Sequence, residues 1–289
     1  MVMDIQSVQA FVEVSDNGSF SRAAKTLYLT QPAVSKRIQA LEQSLDVKLF
    51  DRIGKRVQLT EAGRALLPSC RRILDEIDEG QRIISNLRGA TRGRLRLASS
   101  HHIGLHRLPA VLREYANNWP LVELELRFIP SELACEQVLN GTIELALITL
   151  PEAADERLLL QPVWQDPMYT VVSSDHELAE RNRVTRAQLL QYPAVLPSHG
   201  SYTRRLIDTA LDLDETVNTL LETDFLETIK AMVHAGLGWS MLPESMLDDS
   251  LCVLRMSRAR IARRLGIVMH RSRTRSAAAN AMMELLRRG

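Results

Sequence analysis

The stretch TQPAVSKRIQALEQSL, residues Thr30 to Leu45, combines a helix start, an apolar stripe and a polar face. Thr30 can cap the helix, and Pro32 lies in the first turn, where its missing N–H costs no hydrogen bond. The stripe has helical spacing and is predicted to pack inward; it consists of Val34, Ile38, Leu41 and Leu45. The opposite face carries Pro32, Lys36, Gln39 and Gln43, with Ser35 and Arg37 flanking it. This donor-rich face indicates a polar partner, although a merely solvated face has the same pattern.

The residues before this stretch predict two shorter helices. Apolar residues from Ile5 onward follow helical spacing until Asn17-Gly18 ends the helix. A second helix starts after Ser19 or Ser21 and carries Ala23-Ala24, small enough for a neighbouring helix to approach closely. A short helix, a tight turn and a helix with a donor-rich outer face describe a helix-turn-helix. Glutamine and serine there can contact base edges, while lysine and arginine reach guanine or phosphate.

The residues after the stretch predict a wing. The segment VKLFDRIGKRVQL, Val47 to Leu59, has the pattern of two short strands around a basic turn at Ile53 to Arg56. Such a hairpin grips the phosphate backbone beside the helix, or else it is an ordinary surface hairpin. Residues Phe20 to Thr60 contain eight basic and three acidic residues, a net charge of +5, whereas the whole chain carries +1. A local positive field attracts polyanions even when the chain is near neutral, so we expect double-stranded DNA as the partner.

The run from Phe11 to Gly63 resembles the amino-terminal domain of LysR-type transcriptional regulators nearly end to end. The matching elements are Gly18-Ser19-Phe20, Ala23-Ala24, Gln31-Pro32-Ala33-Val34-Ser35, Leu41-Glu42, Leu49-Phe50, Arg52 and Leu59-Thr60-x-x-Gly63. The resemblance implies a major-groove helix and a backbone-contacting wing. The expected DNA contacts are Arg22, Gln31, Pro32, Ser35, Lys36, Arg37, Arg52, Lys55 and Arg56. Asp46 stands where the family usually has glycine, and we expect it to alter the turn there.

A long helix is predicted from Thr60 to about Leu87. Apolar residues alternate spacings of four and three along a seam broken only by Gly80; they are Leu66, Cys70, Ile73, Ile77, Ile84 and Leu87. This pattern favours a coiled-coil homodimer that presents two DNA-reading heads, with an intramolecular core helix as the alternative. Pro68 predicts a bend near Arg64 to Pro68. The glycine-containing segment after the helix predicts a hinge.

From Gly93 onward strands and helices alternate, which indicates an α/β fold. Strands are predicted at Arg94–Ser99, at a half-exposed edge Val122–Phe128 that is a candidate subunit contact, and at the buried Leu145–Ile148. Helices are predicted at Leu105–Asn117 and Glu132–Asn140. A second unit runs from about Pro162, and Leu265–His270 returns to the first unit before the helix Ala277–Arg288.

This portion resembles the two-lobed periplasmic-binding-protein-like fold that the same family uses for regulation, with MVHAGLGWSMLP (Met232 to Pro243) as its clearest matching phrase. The whole chain is therefore identified as α/β with an amino-terminal winged helix-turn-helix, a long linker helix and a two-lobed effector domain. The predicted segments are 1–60 for DNA binding, 61–88 for the linker and dimerisation helix, 89–93 for the hinge, 94–163 with 266–289 for subdomain I, and 164–265 for subdomain II.

Small-molecule sites in such folds lie between the lobes, at carboxyl ends of strands and amino ends of helices. This geometry selects Ser99, Ser100, His101, Thr149, Ser201, Tyr202, Thr203 and Phe225. Hydroxyl donors at helix starts favour an anionic ligand, so we expect a small carboxylate-bearing effector. Each of these residues also has a plainer role open to it, as a helix cap or a packing side chain.

Other classes of protein fit less well. The chain contains residue types that enzymes use in catalysis, namely Ser99, Ser100, His101, His102 and Cys135. No GxSxG motif, metal-ligand spacing or phosphate-binding loop contains them, so we expect neither catalysis nor a cofactor. A transport-type solute binder is opposed by the helix-turn-helix and by the absence of a secretion signal. We expect a soluble, cytoplasmic, bacterial homodimer or homotetramer that binds promoter DNA with interrupted dyad symmetry. The arginine-rich stretch Arg255 to Arg275 is interpreted as a solvated face or subunit contact, with a second DNA contact as the less favoured alternative.

Overall fold

The computed structural model describes residues 3–53, 56–87, 91–214, 217–256 and 261–288. The chain divides into two compact units, of which the amino-terminal one ends at Leu87. Each unit has its own hydrophobic clusters. The described helices include none that is long and apolar enough to cross a bilayer.

The amino-terminal unit is built from three short helices, a hairpin and a long helix. Asp4 caps α1 and accepts from Ser7 N, Ser19 caps α2, and Thr30 caps α3, so three side-chain caps set the helix starts. The sequence patterns predicted α1, α2, α3 and the hairpin, and these elements are confirmed. The elements are α1 (Ile5–Asn17), α2 (Phe20–Thr26), α3 (Gln31–Leu45), β1 (Phe50–Ile53), β2 (Arg56–Leu59) and α4 (Glu61–Leu87).

Aromatic packing holds the core of this unit. The ring of Phe50 lies 5.4 Å from that of Phe11 and 5.8 Å from that of Phe20, so β1 is anchored to α1 and α2. Three members of the predicted apolar stripe of α3 are buried, but Leu45 is 38% exposed and its predicted inward orientation was wrong. Leu45 is the last residue of α3, and Asp46 turns the chain away with a left-handed φ of 54°. Asp46 thus adopts the conformation that glycine would adopt freely.

Helix α4 runs continuously past Pro68. Its first turns pack on the unit's own core: Cys70 is fully buried there, and Leu66, Leu67 and Leu74 pack against the same cluster. The start of the predicted dimer seam is therefore occupied within the chain. Gly63 explains the Leu59-Thr60-x-x-Gly63 motif, since a Cβ there would lie 2.3 Å from the backbone oxygen of Leu49. The bend at Pro68 remains a prediction, and residues 89 and 90 of the predicted hinge lie outside the described residues.

The first lobe of the carboxyl-terminal unit has a parallel sheet with helices packed on it. Its strands β3, β4 and β5 are parallel, and β4 lies at the edge of the sheet, as the half-exposed pattern predicted. The predicted helix Leu105–Asn117 was wrong: two helices meet at Arg107, because a second helix starts with Pro109 in its first turn. The elements are β3 (Gly93–Ser99), α5 (His101–His106), α6 (Leu108–Asn118), β4 (Val122–Phe128), α7 (Ser131–Leu139) and β5 (Leu145–Thr149).

A long strand leads into the second lobe, where Trp239 is fully buried and donates its indole N–H to Tyr192 O at 3.2 Å. Strands β7 and β8 pair in parallel, with helices α9 and α10 following them. The remaining elements are β6 (Leu158–Ser173), α8 (Arg186–Leu189), β7 (Ala194–Leu196), α9 (Tyr202–Leu211), β8 (Thr219–Glu222), α10 (Leu226–His234), β9 (Ser240–Pro243), β10 (Leu251–Val253), β11 (Ile261–His270) and α11 (Ala277–Arg288).

Strands β6 and β11 cross from one lobe to the other as an antiparallel pair. Their register shifts between Leu265 and Gly266, beside Val163. A Cβ on Gly266 would lie 2.2 Å from the backbone oxygen of Gln161, so the two strands approach as closely as glycine allows. The crossover therefore fixes where the two lobes join and where a cleft between them opens.

Candidate functional site

Helix α3 exposes the face that its sequence predicted. Gln31, Pro32 and Lys36 are exposed, as are Gln39 and Gln43 further along, while Ser35 is half-buried. Pro32 occupies the first turn, and Thr30 Oγ1 accepts a hydrogen bond from Ala33 N at 3.4 Å. The polar face of α3 is thus held on a capped helix whose other side is core. Arg22 is exposed on α2.

Arg37 has a partner within the unit. Its Nη2 donates to Gln6 Oε1 on α1 at 2.8 Å, and Arg37 is only half-exposed. The guanidinium thereby fixes α3 against α1 and keeps further donors available. Of the predicted wing contacts, Arg52 lies in β1 and Arg56 in β2, but their side chains and the whole of Lys55 lie outside the described residues.

Glu42 is a structural residue that the sequence patterns left without a role. It is 8% exposed, and its Oε1 accepts from Leu49 N at 2.9 Å and Phe50 N at 3.4 Å. Its Oε2 pairs with Lys48 Nζ at 2.8 Å. One carboxylate therefore ties α3 to the first strand of the wing. The sequence feature that could have revealed this role is the position of Glu42 next to Leu41, on the inward side of α3.

A cavity of about 380 Å³ opens between the two lobes of the carboxyl-terminal unit. That volume lies in the range of small-molecule sites. Seven of the eight predicted effector residues line it: Ser100, His101, Thr149, Ser201, Tyr202, Thr203 and Phe225. Ser99 does not line it, because its buried hydroxyl donates to Leu147 O at 3.0 Å and so fastens β3 to β5.

Aromatic rings form one wall of this cavity. The ring of His101 lies 4.7 Å from that of Phe225 and 5.5 Å from that of Phe128. Phe128 and Phe225 are 44% and 48% exposed, which is high for phenylalanine. Gly104 makes room for Phe128, since a Cβ on Gly104 would lie 2.1 Å from that ring. The wall offers apolar surface to a bound molecule.

A buried ion pair lies at the back of the cavity and was missed by the sequence patterns. Arg263 Nε and Nη2 donate to Asp166 Oδ2 at 3.0 and 2.5 Å, and both residues are almost fully buried. Arg263 Nη1 also donates to Thr203 Oγ1 at 3.3 Å. Burial of Arg263 corrects the interpretation of Arg255 to Arg275 as one solvated or subunit-contacting face. No local signal distinguished Arg263, since its partner is 97 positions away in the chain.

His102 lies beside this ion pair. Burial, and then the positive charges of Arg263, His106 and Arg107, lower the pKa of His102 to about 3. The imidazole is therefore neutral at pH 7. Its Nε2 lies 3.8 Å from Asp166 Oδ2 and its Nδ1 lies 4.0 Å from Glu227 Oε1, both beyond hydrogen-bond distance.

Three carboxylates at the cavity already have partners. Glu132 Oε1 on α7 accepts from Tyr202 N, the first N–H of α9, at 2.5 Å. Glu222 Oε1 contacts Arg204 Nη1 at 3.3 Å, and Asp224 Oδ1 accepts from Ser198 N at 3.3 Å. The Glu132 contact joins the two lobes across the cavity. It also puts a carboxylate at a helix start, where partial positive charge favours one.

Comparisons with known proteins identify the family of both parts of the chain. A family model for the LysR substrate binding domain matches residues 88–289, and one for the bacterial regulatory helix-turn-helix protein, lysR family, matches residues 5–64. The chain belongs to the LysR family. It is a LysR-type transcriptional regulator with an amino-terminal helix-turn-helix domain and a two-lobed effector-binding domain.

One relative and two solved structures illustrate the similarity. A probable RuBisCO transcriptional regulator of Trichormus variabilis is 31% identical over 94% of this chain and 84% of its own. A full-length OxyR variant from Pseudomonas aeruginosa has a TM-score of 0.76 at 23% identity, covering 99% of this chain and 95% of that one. Full-length CbnR in complex with its target DNA has a TM-score of 0.67 at 22% identity, covering 99% of each chain.

Proposed function

We propose that this regulator binds promoter DNA through α3 and its wing under the control of a small carboxylate-bearing effector bound between the two lobes. One observation carries the proposal: seven residues selected for an effector site line a single interlobe cavity of about 380 Å³. The chain pairs that cavity with a helix whose exposed face is polar and positively charged.

The proposed DNA contacts divide by chemistry. Gln31, Pro32 and Ser35 lie at the groove floor, where amide and hydroxyl groups meet base edges. Lys36 reaches a base edge or phosphate. The exposed Arg22, and Arg52, Lys55 and Arg56 of the wing, contact the phosphate backbone and position the helix. Arg37 shares its guanidinium between Gln6 and DNA, which couples α1 to the contact.

The carboxylate assignment is supported by the donors of the cavity. Ser100 makes no side-chain hydrogen bond to cap α5, so its hydroxyl is available to a ligand. Arg263 lines the back of the cavity beside Thr203, and it shares its positive charge with Asp166. Glu222 and Asp224 are engaged by Arg204 and Ser198, which reduces their repulsion of an anion. We expect the carboxylate of the effector to bind Arg263, Thr203 and Ser100. Its apolar part packs against the wall formed by His101, Phe128 and Phe225.

The coupling between the sites rests on differential affinity. An effector that binds one arrangement of the lobes better shifts the population toward it. In a homodimer joined through α4, and in a homotetramer built from such dimers, that shift changes the spacing of the DNA-binding heads on an interrupted dyad. The edge strand β4 is the proposed subunit contact of the effector unit.

Calorimetric titration of the full chain tests the carboxylate assignment. We would titrate matched pairs of small aliphatic and aromatic acids and their primary amides, which differ only in the charged group. Heat from an acid and not from its amide, lost in Ser100→Ala, supports the proposal. Heat only from amides or from cationic compounds contradicts the carboxylate while leaving the cavity as the site.

Genomic footprinting of the purified protein tests the DNA half separately. We expect protected sites with dyad-related half-sites, and a change in protection when metabolite extract is added. Failure to protect any site above nonspecific levels at moderate salt would contradict operator binding itself.

A further inference from the structure

His102, His106 and Glu227 lie together, and His102 also lines the interlobe cavity. His102 and His106 are four residues apart on α5, so both imidazoles project from one side of that helix. Their ring centroids are 4.7 Å apart. Glu227 comes from the first turn of α10 in the other lobe. The cluster is therefore assembled by the fold from both lobes.

The separations suit a single metal ion. His106 Nε2 and Glu227 Oε1 are 3.1 Å apart, His102 Nδ1 and Glu227 Oε1 are 4.0 Å apart, and one donor atom from each residue lies within 4.8 Å of the others. The donors of a tetrahedral zinc ion, each at about 2.0–2.1 Å from the metal, lie roughly 3.3 Å from one another. Rotation of the half-exposed His106 and Glu227 side chains is enough to close the remaining gap.

An independent observation comes from His102. Its side chain is 5% exposed, yet among the described residues neither ring nitrogen has a hydrogen-bond partner. A buried polar atom without a partner is energetically costly, so its presence needs an explanation. Coordination through Nδ1 provides one. On its other side, Nε2 faces the buried Asp166 at 3.8 Å, close enough for a small shift to form the hydrogen bond by which a carboxylate orients a metal-bound imidazole.

We propose that His102, His106 and Glu227 form a site for a divalent transition-metal ion of the zinc type. Two imidazoles and one carboxylate are typical zinc ligands, and they leave a fourth position for water or an effector donor atom. Calcium and magnesium fit poorly, since they require several oxygen ligands. The carboxylates of Asp166 and Glu227 offset the positive charge of Arg263 and Arg107 nearby. Because its ligands come from both lobes, the bound ion ties α5 to α10, whatever the chemical class of the effector.

The test is a zinc titration of the full chain, freed of metal with a chelator, in competition with a chromophoric zinc indicator. We expect one zinc ion per chain in the wild type. Because even loss of an outer partner of a metal ligand typically weakens binding by 10–100-fold, His106→Gln and Glu227→Gln are each expected to lose roughly tenfold or more in affinity. His234→Gln is the matched control, since His234 is an exposed histidine in the last turn of the same α10.

Circular dichroism of each metal-free variant checks that folding is unchanged, which the partial exposure of His106 and Glu227 favours. Cobalt substitution provides a second readout, as intense visible bands mark a four-coordinate site and would disappear in Glu227→Gln. Wild-type zinc affinity equal to that of both variants, or no stoichiometric zinc binding, overturns the proposal.

Discussion

Glu42 shows how a single buried carboxylate shapes the DNA-binding surface. Its Oε1 accepts hydrogen bonds from the N–H groups of Leu49 and Phe50, at the start of the wing after α3 has ended. A hydrogen bond to a charged group contributes about 1.5–3 kcal/mol, and an unpaired buried N–H is costly. The carboxylate therefore holds the start of the wing against the buried side of α3, away from the exposed polar face of that helix.

We expect Glu42→Ala to loosen the wing while leaving α3 folded. Loss of the two backbone hydrogen bonds lowers the local opening free energy, and hydrogen exchange of the 47–59 segment speeds up by roughly tenfold or more. Glu42→Gln keeps one acceptor oxygen and should lie between the two. Gln43→Ala, an exposed neighbour on α3, is the control. Unchanged exchange in Glu42→Ala would show that other contacts hold the wing.

Single substitutions can separate contacts to base edges from contacts to phosphates. Gln31→Ala or Ser35→Ala should reduce discrimination between operator and random DNA by about 1–3 kcal/mol, since each removes groups proposed to meet base edges. Lys55→Ala should weaken binding to both DNAs alike. Fluorescence anisotropy with the two duplexes measures both effects. Equal losses on operator and random DNA for Gln31→Ala would remove its proposed role.

At the scale of elements, the first turns of α4 pack on the core of their own unit. Burial raises the pKa of Cys70 to about 11, consistent with a thiol enclosed in the core of its own unit. The heptad pattern alone did not separate this half from the rest, because apolar residues facing an intramolecular core and a partner helix follow the same spacing. Ile73 and Ile77 are half-exposed and continue the seam beyond that core.

Ile77→Asp tests the second half of α4 as the dimer contact. A charge in an apolar seam should shift the chain from dimer to monomer and lower operator affinity, while the amino-terminal core stays folded. Sedimentation velocity measures the assembly, and Cys70 serves as the internal control. Its thiol should stay unreactive toward a thiol reagent in the folded variant, because it remains buried. An unchanged dimer would place the contact elsewhere.

The crossover of β6 and β11 is the element that joins the lobes, and Gly266 lets it form. Gly266→Ala forces a Cβ to within 2.2 Å of the Gln161 backbone oxygen, so both strands must move. We expect about 1–3 kcal/mol of destabilisation, the usual cost of overpacking. Thermal unfolding monitored by tryptophan fluorescence measures the effect.

At the scale of the whole molecule, local patterns predicted more of the fold than of the site. Helical spacing and alternation revealed α3, the hairpin and β5, because each pattern is contained in a few consecutive residues. The Arg263–Asp166 pair and the position of Glu132 depend on how distant segments pack, which no window of sequence contains. The eight predicted effector residues were selected by the rule that ligands bind at carboxyl ends of strands and amino ends of helices. The prediction for Ser99 was wrong because this rule does not say which way a side chain at a strand end points.

The uneven distribution of charge along the whole chain leads to a prediction about salt dependence. The whole chain carries +1, but the segment from Phe20 to Thr60 carries eight basic and three acidic residues. If that local field governs DNA binding, the logarithm of the association constant falls linearly with the logarithm of salt concentration, with a slope of about −0.9 per phosphate contacted. Lys55→Ala should then reduce the slope by about 1.

The matched control is Arg113→Ala, which removes the same charge from an exposed position on α6 of the effector unit. Both variants have the same net charge, so they differ only in where the charge was lost. Anisotropy titrations at several salt concentrations yield the slopes. A slope unchanged in Arg113→Ala and reduced in Lys55→Ala assigns DNA binding to the local field of the helix-turn-helix and wing. Equal reductions in both would instead make the total charge of the molecule the determining quantity, and the wing would lose its proposed electrostatic role.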